Sequence, residues 1–367
     1  MKARFIVPIL LLTLIGCTKK SNSILLYKKA NNSSFSYQGR TDVLKDSSVA
    51  LISSAASVEF IVEGDSINLH LQSGNNSHNY IVVSINDEYQ KRFKIDAKSI
   101  TSIPLSLPKT AQNKIGIFKA TEAGSGNVIF HGVEAAKISP IINDKEYFIE
   151  FIGDSVTCGA AADPNDVPCG TGEYLDQHNA YLAFGPRIAR ALNVNFMLSS
   201  VSGIGIYRNW NDENIEEPIM PQVYNNLYLN TDATKKYDFS IKPAIVNICL
   251  GTNDLSNGDG IKTRLPFNKE KFVLNYIEFV KTVYSHYPNT KIVLLNSPMI
   301  IGETNDLLVS CLNEVQNYFS TNTDKKVTIF QLDKAYNSGC TTHPNVEEHK
   351  EIAEKLTPFF KNLLNNK

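Results

Sequence analysis

The sequence predicts two domains: an all-β sandwich or jelly roll over residues 35–142, then an α/β domain built on a parallel sheet over residues 143–367. Two observations lead there. Between Phe35 and Pro140 apolar residues come in short alternating runs, among them Ser57–Val62, Ser66–Leu71, Tyr80–Ile85, Lys114–Lys119 and Val128–Val133. Turn clusters such as Glu63-Gly64-Asp65-Ser66 and Gly124-Ser125-Gly126-Asn127 separate them. Alternation gives a strand one core face and one wet face, and regular repetition of such strands builds a sandwich. Past Asn143 the pattern changes to apolar strands near Tyr147–Ile152, Phe196–Val201, Ala244–Leu250, Lys291–Asn296 and Val327–Leu332. Between them lie helical faces: Tyr181, Phe184, Ile188 and Leu192 form one, and Phe272 to Val283 another. A last helix is expected to begin at Pro344, with Val346, Ile352, Leu356 and Phe359 on one side. Strands that alternate with helices make a parallel sheet covered on both faces.

The N-terminus carries a separate signal. Lys2 and Arg4 precede an apolar run from Phe5 to Ile15 that ends in Leu14-Ile15-Gly16-Cys17. This is the charge, length and exit of a signal peptide, and it is too short to span a bilayer. Its ending resembles the bacterial lipobox, which implies that residues 1–17 are a lipoprotein signal peptide and that Cys17 is lipidated. Residues 18–34, rich in Asn, Ser and Lys, suit a tether. The expected location is the cell envelope, as a membrane-anchored lipoprotein in the periplasm or on the outer membrane. A formal net charge of −1 without a basic cluster argues against nucleic acid.

Export makes pairing of the remaining cysteines an expectation. Cys249, inside the apolar run Ala244–Leu250, reads as a buried thiol. The others read as loop-borne or close to loops, and the preferred pairing is Cys158 with Cys169 and Cys311 with Cys340. Four cysteines allow three connectivities, so sequence alone leaves the pairing open.

In an open parallel sheet, ligands bind outside the carboxyl ends of the strands. The unusual polar motifs fall there: Gly153-Asp154-Ser155 after the first strand, Ser202-Gly203-Ile204-Gly205 after the second, Gly251-Thr252-Asn253-Asp254 after the third, His343-Pro344 after the fifth. Singly, each has an ordinary structural reading as a cap, a tight turn or a loop brace. Together they suit acyl transfer. A serine hydroxyl needs a positioned base, and the tetrahedral intermediate needs preorganised donors for its oxyanion.

These four blocks resemble the SGNH, or GDSL-like, hydrolases over roughly residues 145–365. A narrower likeness is to carbohydrate esterase family 2, the acetyl xylan esterase-like deacetylases. It rests on Phe151–Gly159, Asn179–Gly185, Ser202–Asn209, Asn247–Asp254 and Gly339–Asn345, and on the β domain that precedes the hydrolase domain in that family. The resemblance implies a flavodoxin-like three-layer sheet, Ser155 as nucleophile and His343 as base. It also implies an oxyanion hole from the Ser155 and Gly203 main-chain N–H groups and the Asn253 amide, with Asp154 bracing the loop. The implied function is removal of O-acetyl groups from xylan- or glucomannan-type carbohydrate through an acyl-enzyme; with neither a Gly-rich phosphate loop nor metal-ligand spacing in the sequence, no cofactor and no metal are expected. Trp210 and Tyr207, in the polar segment Tyr207–Asp212, are candidate sugar contacts.

One departure stands out. Hydrolases of this class commonly carry an acid two or three residues before the histidine, where this chain has Thr341 and Cys340. Some members of carbohydrate esterase family 2 use a Ser-His dyad in which a main-chain carbonyl accepts from the ring. The expectation here is such a dyad, oriented by the Ser338–Thr341 loop, with Asp333 as a less favoured orienter. The competing functions are a lipase or thioesterase acting on other acyl esters, and a non-catalytic glycan-binding lipoprotein.

Overall fold

The computed structural model describes residues 24–366. Cys17 and the expected signal peptide therefore lie outside the described residues. Among the described residues no helix is long and apolar enough to cross a membrane.

The N-terminal part is an antiparallel β domain whose ten strands are joined in one hydrogen-bonded sheet. Its axis is a pair of long strands, Ser57–Ser73 and Val128–Ser139, each bonded to several partners. Alternate residues of the first, among them Val58, Phe60, Val62, Leu69 and Leu71, enter a core shared with Phe130, Ile115 and Ile117. Two expectations fail here. The cluster Glu63–Ser66 is not a turn but the middle of a continuous strand, because Gly64, at φ +133, absorbs a bulge while pairing continues on both sides. Nor is all of residues 18–34 a tether: Leu26–Lys29 pairs with Gly132–Ala135, and the Tyr27 hydroxyl donates to the His131 carbonyl at 2.8 Å.

The second part is a five-stranded parallel sheet from Phe148–Gly153, Asn195–Ser200, Ile245–Cys249, Lys291–Leu295 and Val327–Phe330. Numbered along the chain, the strands lie in the order 2-1-3-4-5. Chain direction across the sheet reverses between the first and third strands, so a crevice opens at their carboxyl ends. Strand periodicity sends Ile149, Phe151 and Val293 to one face and Val246, Ile248 and Leu294 to the other. Helices Phe184–Leu192 and Val346–Asn365 cover the first face, and helices Lys269–His286 and Gly302–Asn322 the second. The last helix starts two residues later than expected, because Asn345 takes the cap: its side chain accepts from the Glu348 N–H, and Glu348 accepts from the Asn345 N–H. Pro344 stands just outside.

The two parts are tied through a buried arginine. Arg40 of the β domain is fully buried and donates to the carbonyls of Tyr224 at 2.9 Å and Asn226 at 2.7 Å, and to Ser199 Oγ. Its guanidinium also lies 4.3 Å from the centre of the Tyr237 ring. A buried guanidinium is tolerable only when its donors are met, and here main-chain carbonyls meet them.

Candidate active site

Ser155 opens a single helical turn, Ser155–Cys158, directly after the first parallel strand. Asp154 caps that turn by accepting from the Val156 N–H at 3.1 Å, and Gly159 closes it in the left-handed conformation. The sharp bend requires glycine before it: a Cβ on Gly153 would stand 2.1 Å from Thr157 Oγ1 and 2.9 Å from the Cys249 carbonyl. Burial pushes the Asp154 carboxyl up to about 7, against the lowering pull of the Val156 N–H. Asp154 thus braces the turn and makes no approach to His343.

His343 Nε2 lies 2.9 Å from Ser155 Oγ. The other ring nitrogen, Nδ1, lies 3.1 Å from the Thr341 carbonyl oxygen and 3.0 Å from the Thr341 hydroxyl. That hydroxyl donates its own proton to the Cys340 carbonyl at 2.7 Å, so both Thr341 oxygens face the ring as acceptors. Acceptors at Nδ1 place the ring proton there and leave Nε2 free to take the serine proton. Burial lowers His343 below the ordinary imidazole value, against the raising pull of the Thr341 carbonyl. Asp333, the alternative orienter, is held by Lys355 at 2.8 and 2.9 Å.

The His343 loop is bolted to the chain just past the Ser155 turn. The Cys340 N–H donates to the Ala161 carbonyl at 3.0 Å and the Val346 N–H to the Ala162 carbonyl at 3.2 Å. Cys340 is also joined to Cys169 in a disulfide. The expected pairs Cys158–Cys169 and Cys311–Cys340 do not form. Cys158 is buried in the helical turn of Ser155, where its thiol meets Ser200 Oγ at 3.2 Å, and Cys311 is buried on the inner face of helix Gly302–Asn322. Cys158, Cys249 and Cys311 are free thiols.

Thr341 and Thr342 have φ of 50° and 58°, a region that β-branched residues rarely occupy. Such strain persists only where the surroundings over-determine it, and it clusters at functional sites. Here it turns the Thr341 carbonyl back onto the imidazole.

On the opposite side stands the loop after the second strand. Gly203 has φ +77, and its carbonyl accepts the Trp210 N–H at 2.8 Å. Neither the Ser155 nor the Gly203 main-chain N–H has a protein acceptor among the described residues, so both are available to an oxyanion. Asn253 lines the same cleft, but its Nδ2 donates to the Ile204 carbonyl at 2.9 Å and to Asp154 Oδ2 at 3.3 Å. To serve as third donor it must give up the longer of these bonds. Its neighbour Asp254 holds the loop by accepting the N–H groups of Ile206, Tyr207 and Arg208.

These groups converge on a cleft of about 760 Å³. Trp210, 47% exposed, stands at its edge. Tyr207 does not: it is 3% exposed, its ring lies among Phe267 and Phe272, and its hydroxyl accepts the Asn268 N–H at 3.1 Å. The hold of Asp254 on its N–H turns the residue inward. Tyr174, Lys262, Met299 and Ile300 also line the cleft and were not singled out by the sequence.

Residues 149–356 match the family model described as GDSL-like lipase/acylhydrolase. The chain belongs to that family. It is accordingly a carboxylic ester hydrolase, and its residues 37–143 match the model described as carbohydrate esterase 2 N-terminal. The hydrolase is 25% identical to an acetylxylan esterase / glucomannan deacetylase of Cellvibrio japonicus over 98% of this chain and 99% of that protein. It is 28% identical to the cellulase/esterase CelE of Acetivibrio thermocellus over 91% of this chain, but spans only 40% of that longer protein. Among solved structures it is similar to a family two carbohydrate esterase from Cellvibrio japonicus, with a TM-score of 0.81 at 24% identity over 93% of this chain and 98% of the other. A family two carbohydrate esterase from Clostridium thermocellum, in complex with cellohexaose, has a TM-score of 0.80 at 27% identity over 90% and 99%.

Proposed function

We propose that this hydrolase removes O-acetyl groups from carbohydrate, of the acetylated xylan or glucomannan type, by a Ser155–His343 dyad. The observation that carries the reading is a Ser–His pair at 2.9 Å in a cleft that Trp210, Asn211, Ser256 and Thr342 line alongside a few apolar residues. Names of the full-length relatives point to the same substrates.

In this scheme Nε2 takes the Ser155 proton as Oγ attacks the acetyl carbonyl, and the Ser155 and Gly203 N–H groups receive the oxyanion. The proton on Nε2 passes to the departing sugar hydroxyl. Water then adds to the acetyl-serine with His343 again as base, and acetate leaves. An alkoxide is a better leaving group than an amide anion, so a ring oriented by neutral acceptors suffices. Tests are direct: the ratio of turnover on acetyl and octanoyl nitrophenyl esters, and acetate release from acetylated xylan and glucomannan. Preference for octanoyl esters with no acetate from either polymer would favour a lipase.

The antiparallel domain is read as a jelly roll, supported by long strands that each bond several partners around one enclosed core. Anchoring through Cys17 is likewise proposed, and a disulfide, which suits an oxidising compartment, supports export. Radiolabelled palmitate should enter the wild-type chain and not Cys17→Ala.

A further inference from the structure

The β domain reaches the active site through the end of one strand. Asn113–Lys119 runs into the segment Lys119–Glu122, of which Lys119 and Thr121 are fully buried and Glu122 is 5% exposed. The Ala120 carbonyl there accepts the Ala180 N–H of the α/β domain at 2.9 Å. Glu122 projects between the nucleophile turn and the oxyanion loop. One carboxylate oxygen accepts the main-chain N–H of Ser202 and lies 3.6 Å from Cys158 Sγ. The other lies 3.6 Å from His178 Nε2. His178 Nδ1 accepts the Ala161 N–H at 3.4 Å, which leaves the ring proton on Nε2, facing Glu122.

A buried carboxylate is costly unless its lone pairs are met. Burial pushes Glu122 up, yet His178 and Ser202 outweigh it and hold the carboxyl below its usual range. Glu122 is therefore an anion at neutral pH, inside the protein and beside the active site.

Ser202 immediately precedes Gly203, and glycine does not fix its own peptide orientation. Anchors on either side must do so. Trp210 holds the Gly203 carbonyl, and Glu122 holds the Ser202 N–H. We propose that Glu122 is a positioning residue for ester hydrolysis: the β domain uses it to fix the Gly203 peptide whose N–H receives the oxyanion. This rests on the hydrolase reading above. It gives the β domain a part in turnover beyond any binding of glycan.

The same charge has a second readout. The groups around Glu122 are Lys119, pushed down to about 7 by burial, Cys158, His178 and Tyr174, with His343 farther off. The negative charge of Glu122 raises the His343 pKa, so neutralising it lowers that pKa and moves the acid limb of kcat/KM to lower pH.

The test compares Glu122→Gln, Glu122→Asp and Ser155→Ala in the full chain, on nitrophenyl acetate and with a boronic acid that forms a tetrahedral adduct on Ser155. Glu122→Gln should lose about tenfold or more in kcat, less than the direct loss of an oxyanion donor, while KM stays within about threefold. Its boronate Ki should rise in step with the loss, and its acid limb should move down. Glu122→Asp, too short to reach Ser202, should lose kcat but keep the acid limb. A Glu122→Gln enzyme with kcat within about twofold and an unchanged boronate Ki would overturn the inference. Should that variant fail to fold by circular dichroism, Glu122→Asp is judged by the same kcat and Ki. Equal turnover by wild type and Ser155→Ala would defeat the hydrolase reading itself, and the inference with it. Ser155-dependent turnover indifferent to Glu122 would defeat the positioning role alone.

Discussion

The Thr341 carbonyl oxygen stands 3.1 Å from His343 Nδ1, two residues along the same loop, in the place where a triad would hold a carboxylate. Orientation of the base is thus supplied by the two oxygens of Thr341, of which the main-chain carbonyl survives substitution at position 341. Thr341→Gly keeps the carbonyl and suits φ 50, so kcat should stay within about fivefold. Asp333→Asn should be neutral, since Lys355 holds that carboxylate away from the site. A hundredfold loss in Asp333→Asn with the fold intact would make it the missing acid.

The Cys169–Cys340 bridge joins a surface loop to the residue three before His343 and spans 171 residues of chain. Non-reducing peptide mapping should recover this one bridge, with Cys158, Cys249 and Cys311 alkylated. Replacing both Cys169 and Cys340 with serine should cost about 2–4 kcal/mol of stability and reduce kcat more than it raises KM. Recovery of Cys158 in any bridge would contradict the arrangement.

His349, fully buried on the last helix with neither ring nitrogen hydrogen-bonded, is pushed down to about 3 by burial, with Arg187 adding to the effect. The unfolded chain binds a proton there near pH 6.5, and the folded protein does not until about pH 3. The stability that follows is complete above pH 6.5 and is lost as pH falls through that window, by up to ~1.4 kcal/mol per pH unit. His349→Leu should flatten the acid side of the stability profile by about that slope in urea melts. An unchanged slope would mean the ring is protonated in the fold.

Trp210→Ala should weaken binding of acetylated polymer by about 1 kcal/mol or more, roughly fivefold in KM, and leave nitrophenyl acetate hydrolysis almost unchanged. Tyr207→Phe should affect neither KM. The contrast checks that only Trp210 faces the cleft.

Much of this site was legible in the chain because catalysis at a parallel sheet needs polar residues just past apolar strands. Ser155, Gly203 and Asn253 each stand within a few residues of such a run, His343 follows the fifth at a longer distance, and the resemblance supplied the roles that group them. The absent acid before His343 was legible too, and with it the need for a neutral acceptor. What could not be read depends on long-range packing. The bridge from Cys340 to Cys169 crosses 171 residues, and nothing local announces it. Tyr207 sits among polar neighbours, yet Asp254 turns it inward. Glu122 follows an ordinary strand end and acquires a role only when the β domain docks. The single available signal was a carboxylate straight after Lys119-Ala120-Thr121, and the nearby Lys119 offers it an ordinary local partner.

The most direct test is the rate of acetate release from acetylated xylan and glucomannan by wild type and Ser155→Ala, with circular dichroism to confirm the fold. Wild type should release acetate, and Ser155→Ala should lose roughly 10³-fold or more in kcat. A Ser155→Ala protein that kept a tenth of wild-type acetate release would contradict the account.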